Sequence, residues 1–275
     1  MKKTVAALAI AAVASAACSR GGSEERAFEW ITELPAGTVV HLRNGAGSID
    51  VKRASGQTAQ VSASKHWRRG RSRDINFVVT QNGNDYYICA MWRNSGKCGA
   101  SGYRGRNTGG FLAMFSLFNR HSDASADFEA ELPANVVIDA KNTSGEVNID
   151  GITGGVTAQT INGDVKATNV AGKVKLQTTN GDLVFSPDAS ATPDALSMNT
   201  TNGEIRAELP PGSEGNFDIS TVNGDVRSSL PLANESKSPV GQHLRGQIGS
   251  LQRSVKLRSV NGSVVVTTKG TVDHQ

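Results

Sequence analysis

The sequence predicts an all-β protein, a single-chain β-solenoid built from coils of about 18 residues with two short strands each, and with an inserted β-hairpin region. Three observations support this fold class: a six-residue phrase that recurs along the chain, a regular spacing between glycines, and the composition. The chain has 30 glycines in 275 residues and only 5% aromatic residues. A glycine-rich, aromatic-poor chain with short alternating segments is typical of β rather than helical proteins.

The recurrent phrase is Thr-x-Asn-Gly, followed by an acidic and then an apolar residue. Its copies begin at Thr160, Thr178, Thr200, Thr221 and Ser259, and a degenerate copy begins at Asn142. Asn-Gly favours tight turns because both residues tolerate positive φ. Each copy therefore predicts a corner followed by a strand.

Glycine spacing reveals a shorter repeat within the phrase. Five glycines are nine residues apart: Gly145, Gly154, Gly163, Gly172 and Gly181. Apolar residues follow at the second and fourth positions after each, and such alternation predicts a half-buried strand. Nine residues thus make one strand and one corner, and stacked coils about 4.8 Å apart would share a continuous core.

Stacking would bring equivalent corner residues into columns. One column is a structural asparagine ladder, formed by Asn162, Asn180, Asn202, Asn223 and Asn261. Its amides can bond from coil to coil. The next column is acidic and comprises Glu146, Asp164, Asp182, Glu204 and Asp225. Calcium could bind between these carboxylates, but neighbouring lysines and arginines can neutralise them instead. The sequence therefore predicts no metal ligands and no cofactor.

Insertions fall at one edge of the later coils, at residues 186–193, 208–214 and 228–252. Loops collected on one edge of a repeat protein are often its binding surface. Neutral drift in loop length explains the same pattern equally well.

The N-terminus predicts export. Residues 1–18 combine two lysines, an apolar run and small residues before Cys18, which is typical of a signal peptide, here of lipoprotein type with lipid attachment at Cys18. Ordinary cleavage after Ala16 is the alternative, because Ser15 occupies the position where a lipobox usually has leucine. The run is too short to span a bilayer.

Residues 65–121 form a basic insert with ten basic and two acidic residues. Within it, residues 75–92 predict a hairpin. Cys89 and Cys98 flank residues 91–96, which suggest a tight turn, and the two cysteines are expected to pair in an oxidising compartment. The apolar run 111–118 is expected to cap the solenoid end. A candidate contact surface for anionic lipid headgroups or acidic glycans comprises Lys65, Trp67, Arg68, Arg69, Arg71, Arg73, Arg104 and Arg106. A solvated loop is the alternative for the arginines.

The predicted organisation has six parts: a signal peptide at 1–18, a linker at 19–26, an opening solenoid coil at 27–64, the basic insert at 65–121, the β-solenoid repeat domain at 122–270 and a tail at 271–275.

This arrangement resembles the bacterial putative-adhesin family of β-strand repeats, a domain family of unknown function. The matching residues are the opening segment 44–51, the lead-in 132–136 and the serial Thr-x-Asn-Gly-Asp-Val coils. The resemblance covers about residues 27–64 and 122–270. It implies a β-solenoid of the envelope or cell surface and supplies no catalytic residues.

For function, the sequence favours a non-enzymatic, envelope-anchored binding or structural protein, on the outer membrane or facing the periplasm, with a soluble periplasmic or secreted form as the alternative. The partner is an envelope protein, glycan or anionic lipid headgroup, and not nucleic acid. A periplasmic accessory in envelope assembly or stress response is the second hypothesis. A β-helix enzyme acting on acidic polysaccharide is the third, but residues 122–275 contain only three aromatics, Phe128, Phe185 and Phe217, and no motif of catalytic residues.

Overall fold

The computed structural model describes residues 23–67, 74–92, 98–99, 124–188, 193–232, 234–238, 241–251 and 253–268. These residues form 21 β-strands. None of them belongs to a helix long and apolar enough to cross a bilayer. The predicted signal peptide, the apolar run 111–118 and the tail lie outside the described residues.

The strands are short and follow one another closely. The N-terminal strands are β1 Ser23–Glu33, β2 Val39–Arg43, β3 Ile49–Arg53, β4 Thr58–Trp67, β5 Ile75–Asn82, β6 Asp85–Trp92 and β7 Ser125–Leu132. The central strands are β8 Val137–Lys141, β9 Val147–Asp150, β10 Val156–Gln159, β11 Val165–Val170, β12 Lys173–Gln177 and β13 Leu183–Pro187. The C-terminal strands are β14 Ala195–Asn202, β15 Ile205–Leu209, β16 Gly215–Asn223, β17 Val226–Ser228, β18 Asn234–Ser238, β19 Gly241–Ile248, β20 Ser254–Asn261 and β21 Val264–Thr268.

Two sheets face each other across one core. Sheet A has ten strands in the order β1-β4-β7-β3-β9-β11-β13-β15-β21-β17, and sheet B has eleven in the order β18-β19-β16-β20-β14-β12-β10-β8-β2-β6-β5. In the centre of each sheet the pairing is parallel, with coil-to-coil register such as Val165 opposite Leu183. This is the predicted β-solenoid, and the fold class is confirmed.

The apolar positions of the nine-residue repeat point into the space between the sheets. On sheet A the buried pairs are Val147 and Ile149, Val165 and Ala167, and Leu183 and Phe185; on sheet B they are Val156 and Ala158, and Val174 and Leu176. None is more than 2% exposed. Burying a side chain the size of Val, Leu or Phe contributes roughly 1.5–3 kcal/mol, so the alternating pattern is the main stabilising feature of each coil.

The last coil does not stack last. Strand β20 lies between β14 and β16, and β21 lies between β15 and β17. The coil β20–β21 is thus inserted between two coils that precede it in the chain. The sequence repeat does not specify this order, because every coil carries the same corner phrase and the phrase fits any neighbour.

The insertion at 228–252 explains this rearrangement. The sequence predicted a loop in this segment, but the segment contains strands β18 and β19. These pair with each other in antiparallel fashion, and β19 also pairs antiparallel with β16. The outer edge of β16 is therefore occupied, and β20 pairs with its other edge. The hairpin forms this end of sheet B, with β18 as its edge strand.

The N-terminal end likewise contains antiparallel strands beside its predicted coil. Segment 27–64 holds one coil, β2–β3, together with the antiparallel strand β4 and most of β1. The expected linker 19–26 overlaps β1, which begins at Ser23. The predicted hairpin is present as β5–β6, but β6 continues sheet B by pairing in parallel with β2. Strand β7 continues sheet A beside β3.

Candidate functional site

The corner asparagines form one column of hydrogen-bonded amides. Each Nδ2 donates to the Oδ1 of the next asparagine, at 2.8 Å from Asn180 to Asn162, 2.8 Å from Asn202 to Asn180, 2.7 Å from Asn261 to Asn202 and 2.7 Å from Asn223 to Asn261. The column follows the spatial order of the coils, with Asn261 between Asn202 and Asn223. It holds neighbouring coils in register at this corner.

The threonine that opens each phrase also has a fixed partner. Its buried hydroxyl donates to the glycine carbonyl of the neighbouring coil, as from Thr178 to Gly163 at 2.9 Å and from Thr200 to Gly181 at 3.1 Å. Ser259 makes the equivalent bond to Gly203 at 3.0 Å. A buried carbonyl without a partner is costly, so a hydroxyl residue is needed at this position.

Glycine is required at the corner for two reasons. Gly181 has φ +150° and Gly203 has φ +152°, conformations that residues with a Cβ rarely adopt. A Cβ on Gly181 would also collide with the backbone carbonyl of Gly163. Successive coils therefore approach as closely as bare backbone allows.

Two acids of the acidic column serve the backbone. The Asp164 carboxylate accepts a hydrogen bond from the backbone N–H of Asp182 at 2.7 Å, and the Asp182 carboxylate accepts one from Glu204 at 2.8 Å. Each acid thus holds the turn of the adjacent coil. No group of three or more His, Cys, Asp or Glu side chains arranged to hold a metal ion occurs within the described ranges.

Aromatic residues close the N-terminal end of the core. The Phe77 ring lies 5.2 Å from that of Phe28 and 5.5 Å from that of Phe128, and Trp30 lies 5.1 Å from Tyr86. These side chains come from β1, β5, β6 and β7.

Two residues of the predicted contact surface belong to this aromatic end cap. The Lys65 ammonium lies 5.6 Å from the centroid of the Phe77 ring, and burial lowers the pKa of Lys65 although Glu25 opposes the shift. Trp67 is half-buried and packs against the core. Both remain partly exposed, so their role in a contact surface stays a prediction. Arg68, Arg69, Arg71, Arg73, Arg104 and Arg106 lie outside the described residues.

The predicted disulfide between Cys89 and Cys98 is confirmed. Cys89 lies on β6 and is fully buried beside Met91, and Val78 of β5 packs against the pair. Cys98 lies outside the strands, so the bond fastens the chain after β6 to the hairpin rather than joining two strands of a tight turn.

A groove runs along the edge where the insertions begin. This edge groove encloses about 710 Å³ on the outward side of β13, β15, β21 and β17. Its walls include Arg206, Arg227, Glu208, Ser186 and Thr267. The Ser186 hydroxyl donates to the Glu208 carboxylate at 2.6 Å. Val184 and Val265 also lie in the walls, so the groove presents both polar and apolar groups.

A second groove lies between sheet B and the asparagine column. This amide groove encloses about 470 Å³ and crosses β10, β12, β14 and β20. Its walls include Gln159, Gln177, Asn199, Thr179, Thr201 and Arg258. Gln159 donates to Gln177 at 3.0 Å across one strand interval. Sequence reasoning missed this groove, although the polar residues alternating with the core positions of these strands signal it.

A buried ionic cluster lies on β2 and β8. The Asp139 carboxylate is 2.8 Å from Nδ1 of His41 and also pairs with the buried Arg43 guanidinium. Burial would raise the pKa of Asp139, but the hydrogen bond from His41 and the charge of Arg43 outweigh it and lower that pKa to about 2. The His41 ring stacks on Tyr87 at 4.2 Å. The cluster ties β2 to β8 and β6 by polar contacts that the repeat pattern did not indicate.

The family model of Toastrack DUF4097 matches residues 36–267. The chain belongs to the Toastrack DUF4097 family. The match includes the hairpin β5–β6 and all but the last residue of the inserted coil β20–β21, so these features lie within the Toastrack domain.

Two crystal structures are similar to the Toastrack chain. One is a putative cell adhesion protein from Clostridium sporogenes, with 14% sequence identity, a TM-score of 0.45, and coverage of 88% of this chain and 99% of that one. The other is a putative adhesin from Bacteroides fragilis, with 12% identity, a TM-score of 0.42, and coverage of 91% and 98%. No curated protein sequence matches the Toastrack chain.

Proposed function

We propose that this Toastrack protein is a non-enzymatic binding and structural module of the bacterial cell envelope, adhesin-like in that it holds an extended ligand along its stack. The observation that supports this most is the pair of open grooves that follow the coils. Their walls repeat serine, threonine, amide and arginine side chains from one coil to the next. Such repetition suits many weak polar contacts with a long ligand better than one reacting group.

The use of the repeated acids supports a non-enzymatic role. Hydrolysis of a glycan needs two carboxylates that converge on one bond. Asp164 and Asp182 instead accept backbone hydrogen bonds at successive corners. They are therefore committed to the architecture of the stack.

Export and anchoring complete the proposal. The segment 1–18 acts as a lipoprotein-type export signal that is cleaved before Cys18, and Cys18 becomes the lipid-modified first residue of the mature protein. The disulfide between Cys89 and Cys98 supports an oxidising compartment. Lipid attachment would hold the solenoid at a membrane while its grooves remain in the aqueous phase.

The first test is the intact mass of the protein recovered from its native envelope, together with its distribution between membrane and soluble fractions. We expect the chain from Cys18 with added acyl groups in the membrane fraction, and release into the soluble fraction on Cys18→Ala substitution. Cys89→Ala is the matched control and should stay membrane-bound. An unprocessed chain in the cytoplasm would refute the proposal, and a soluble chain cleaved after Ala16 would refute the anchor.

A further inference from the structure

Lysines on the outward face of sheet B form a regular row. Lys175 of β12 is in register with Ser197 of β14, which is in register with Lys256 of β20. The two lysines are thus two strand intervals apart, or about 10 Å at the usual spacing between strands. Both are exposed, and small polar residues separate them.

Acids at the two ends of this lysine row are already neutralised. Asp139 is held by His41 and Arg43, as described above. At the other end, Asp218 lies 2.7 Å from Nε2 of His243 and accepts a hydrogen bond from Arg258 at 2.9 Å. Within the described part of the chain, no ion pair involves Lys173, Lys175 or Lys256, so the charges of these three remain available to a ligand.

The cationic side chains on this face lie close enough to one another to affect the pKa of Lys141. Burial lowers the pKa of Lys141 on β8, Asp139 opposes the shift, and the neighbouring charges of Arg43 and Lys175 lower it further. Sheet A differs, since its outward face carries Asp50, Glu129 and Glu131 near the N-terminal end. Sheet A also carries exposed cations, among them Lys52 and Lys166, but its Arg206 guanidinium is paired with the Glu204 carboxylate.

The amide groove runs beside the lysine row in the same direction. Gln177, Asn199 and Arg258 lie two residues after Lys175, Ser197 and Lys256 on the same strands, and they are in register with one another. Amide side chains both donate and accept hydrogen bonds. The face thus presents cations along one line and hydroxyl-binding groups along a parallel line.

We propose that this outward face of sheet B binds an extended acidic polysaccharide. Anionic groups carried on alternate sugar residues pair with Lys175 and Lys256, and sugar hydroxyls bond to the side chains of the amide groove. This inference rests on the proposed function and names its ligand class and its site.

The residues present argue against two other occupants. Neutral sugars are commonly held by stacking on aromatic rings, and the phenylalanines of residues 122–275 are buried in the core. A membrane surface is usually bound with apolar side chains inserted among the lipids. The walls of the amide groove combine amide, hydroxyl and guanidinium groups with two apolar side chains, Ile161 and Val260, and only Val260 is exposed. Ionic contacts combined with hydrogen bonds fit a polyanionic sugar chain.

The test compares two charge reversals in the purified full chain. K175E/K256E reverses the lysine row, and K52E/K166E makes the same change at exposed positions on sheet A. Binding is measured by calorimetry with oligogalacturonate, with heparin oligosaccharide, with neutral dextran and with phosphatidylglycerol vesicles. Thermal unfolding of each variant checks the fold.

We expect the wild-type chain to bind at least one of the two acidic oligosaccharides and not dextran, with affinity that falls as salt is raised. K175E/K256E should weaken that binding by about tenfold or more, and K52E/K166E by about twofold at most. Failure to bind either acidic oligosaccharide, equal losses in both variants, or binding to vesicles alone would each overturn the inference. None of these results would change the mass or location of the anchored protein, so the proposed function is tested separately.

Discussion

The threonine at each corner offers the sharpest test of how the stack is held together. Thr178 is 7% exposed, and its hydroxyl donates to the Gly163 carbonyl at 2.9 Å. Thr178→Val keeps the shape of the side chain and removes the donor, which leaves that carbonyl without its bond. An unsatisfied buried group costs about 1–3 kcal/mol, and the added methyl group recovers part of this. We therefore expect the free energy of unfolding to fall by about 1–2 kcal/mol.

Urea unfolding measures this change, and two matched variants interpret it. Thr178→Ser keeps the hydroxyl and should lose less stability than Thr178→Val. Thr179→Val changes the exposed neighbour and should alter the free energy of unfolding by about 0.5 kcal/mol at most. If Thr178→Val is as stable as the wild type, or if Thr178→Ser is destabilised as strongly, the hydroxyl does not hold the coils.

Three further predictions concern other contacts. Gly181→Ala should lower the free energy of unfolding by about 2 kcal/mol or more, because φ +150° and the nearby Gly163 carbonyl both exclude a Cβ; an unchanged urea midpoint would contradict this. The lowered pKa of Asp139 means that its stabilisation is complete above about pH 4 and is lost as the pH falls towards 2, so the wild type should lose about 2 kcal/mol more than Asp139→Asn over that window in acid titration followed by circular dichroism. Reduction should cost the wild type roughly 2–3 kcal/mol, as measured by unfolding with and without dithiothreitol; C89A/C98A should not respond to the reductant.

The sequence was sufficient to predict the coil itself. Alternation of apolar residues placed Val165 and Ala167 in the core, and Asn-Gly placed the corner, because both signals depend only on neighbours in the chain. Family resemblance pointed to the same solenoid. These features needed no knowledge of which coil contacts which.

The order of the coils could not be predicted, because the corner phrase is the same throughout. Asn202 is hydrogen-bonded to Asn261, and Asn223 carries the same amide group that could take this place. The corner glycines likewise stack without regard to chain order, as Gly262 does on Gly203. The pairing of β19 with β16 decides the position of β20. That pairing involves residues of β19 that are not part of the repeated phrase. Such long-range choices leave no periodic signal.

Prediction of the contact surface was limited for a related reason. Lys65 was assigned to a basic surface from local composition, and the antiparallel pairing of β4 also brings it beside Phe77 of the aromatic end cap. The lysine row on sheet B is dispersed in the sequence, with Lys175 and Lys256 in segments 81 positions apart. Register between strands brings them together.

The inserted position of the coil β20–β21 has a consequence for how the protein is made. A chain that emerges from its N-terminus can build the stack in sequence up to β15, but β16 and β17 cannot take their final places until residues 254–268 have been delivered. The C-terminal segment therefore completes the stack from within, because β20 and β21 lie between strands that precede them in the chain. A chain truncated before β20 would lack the middle of its last three coils rather than their end.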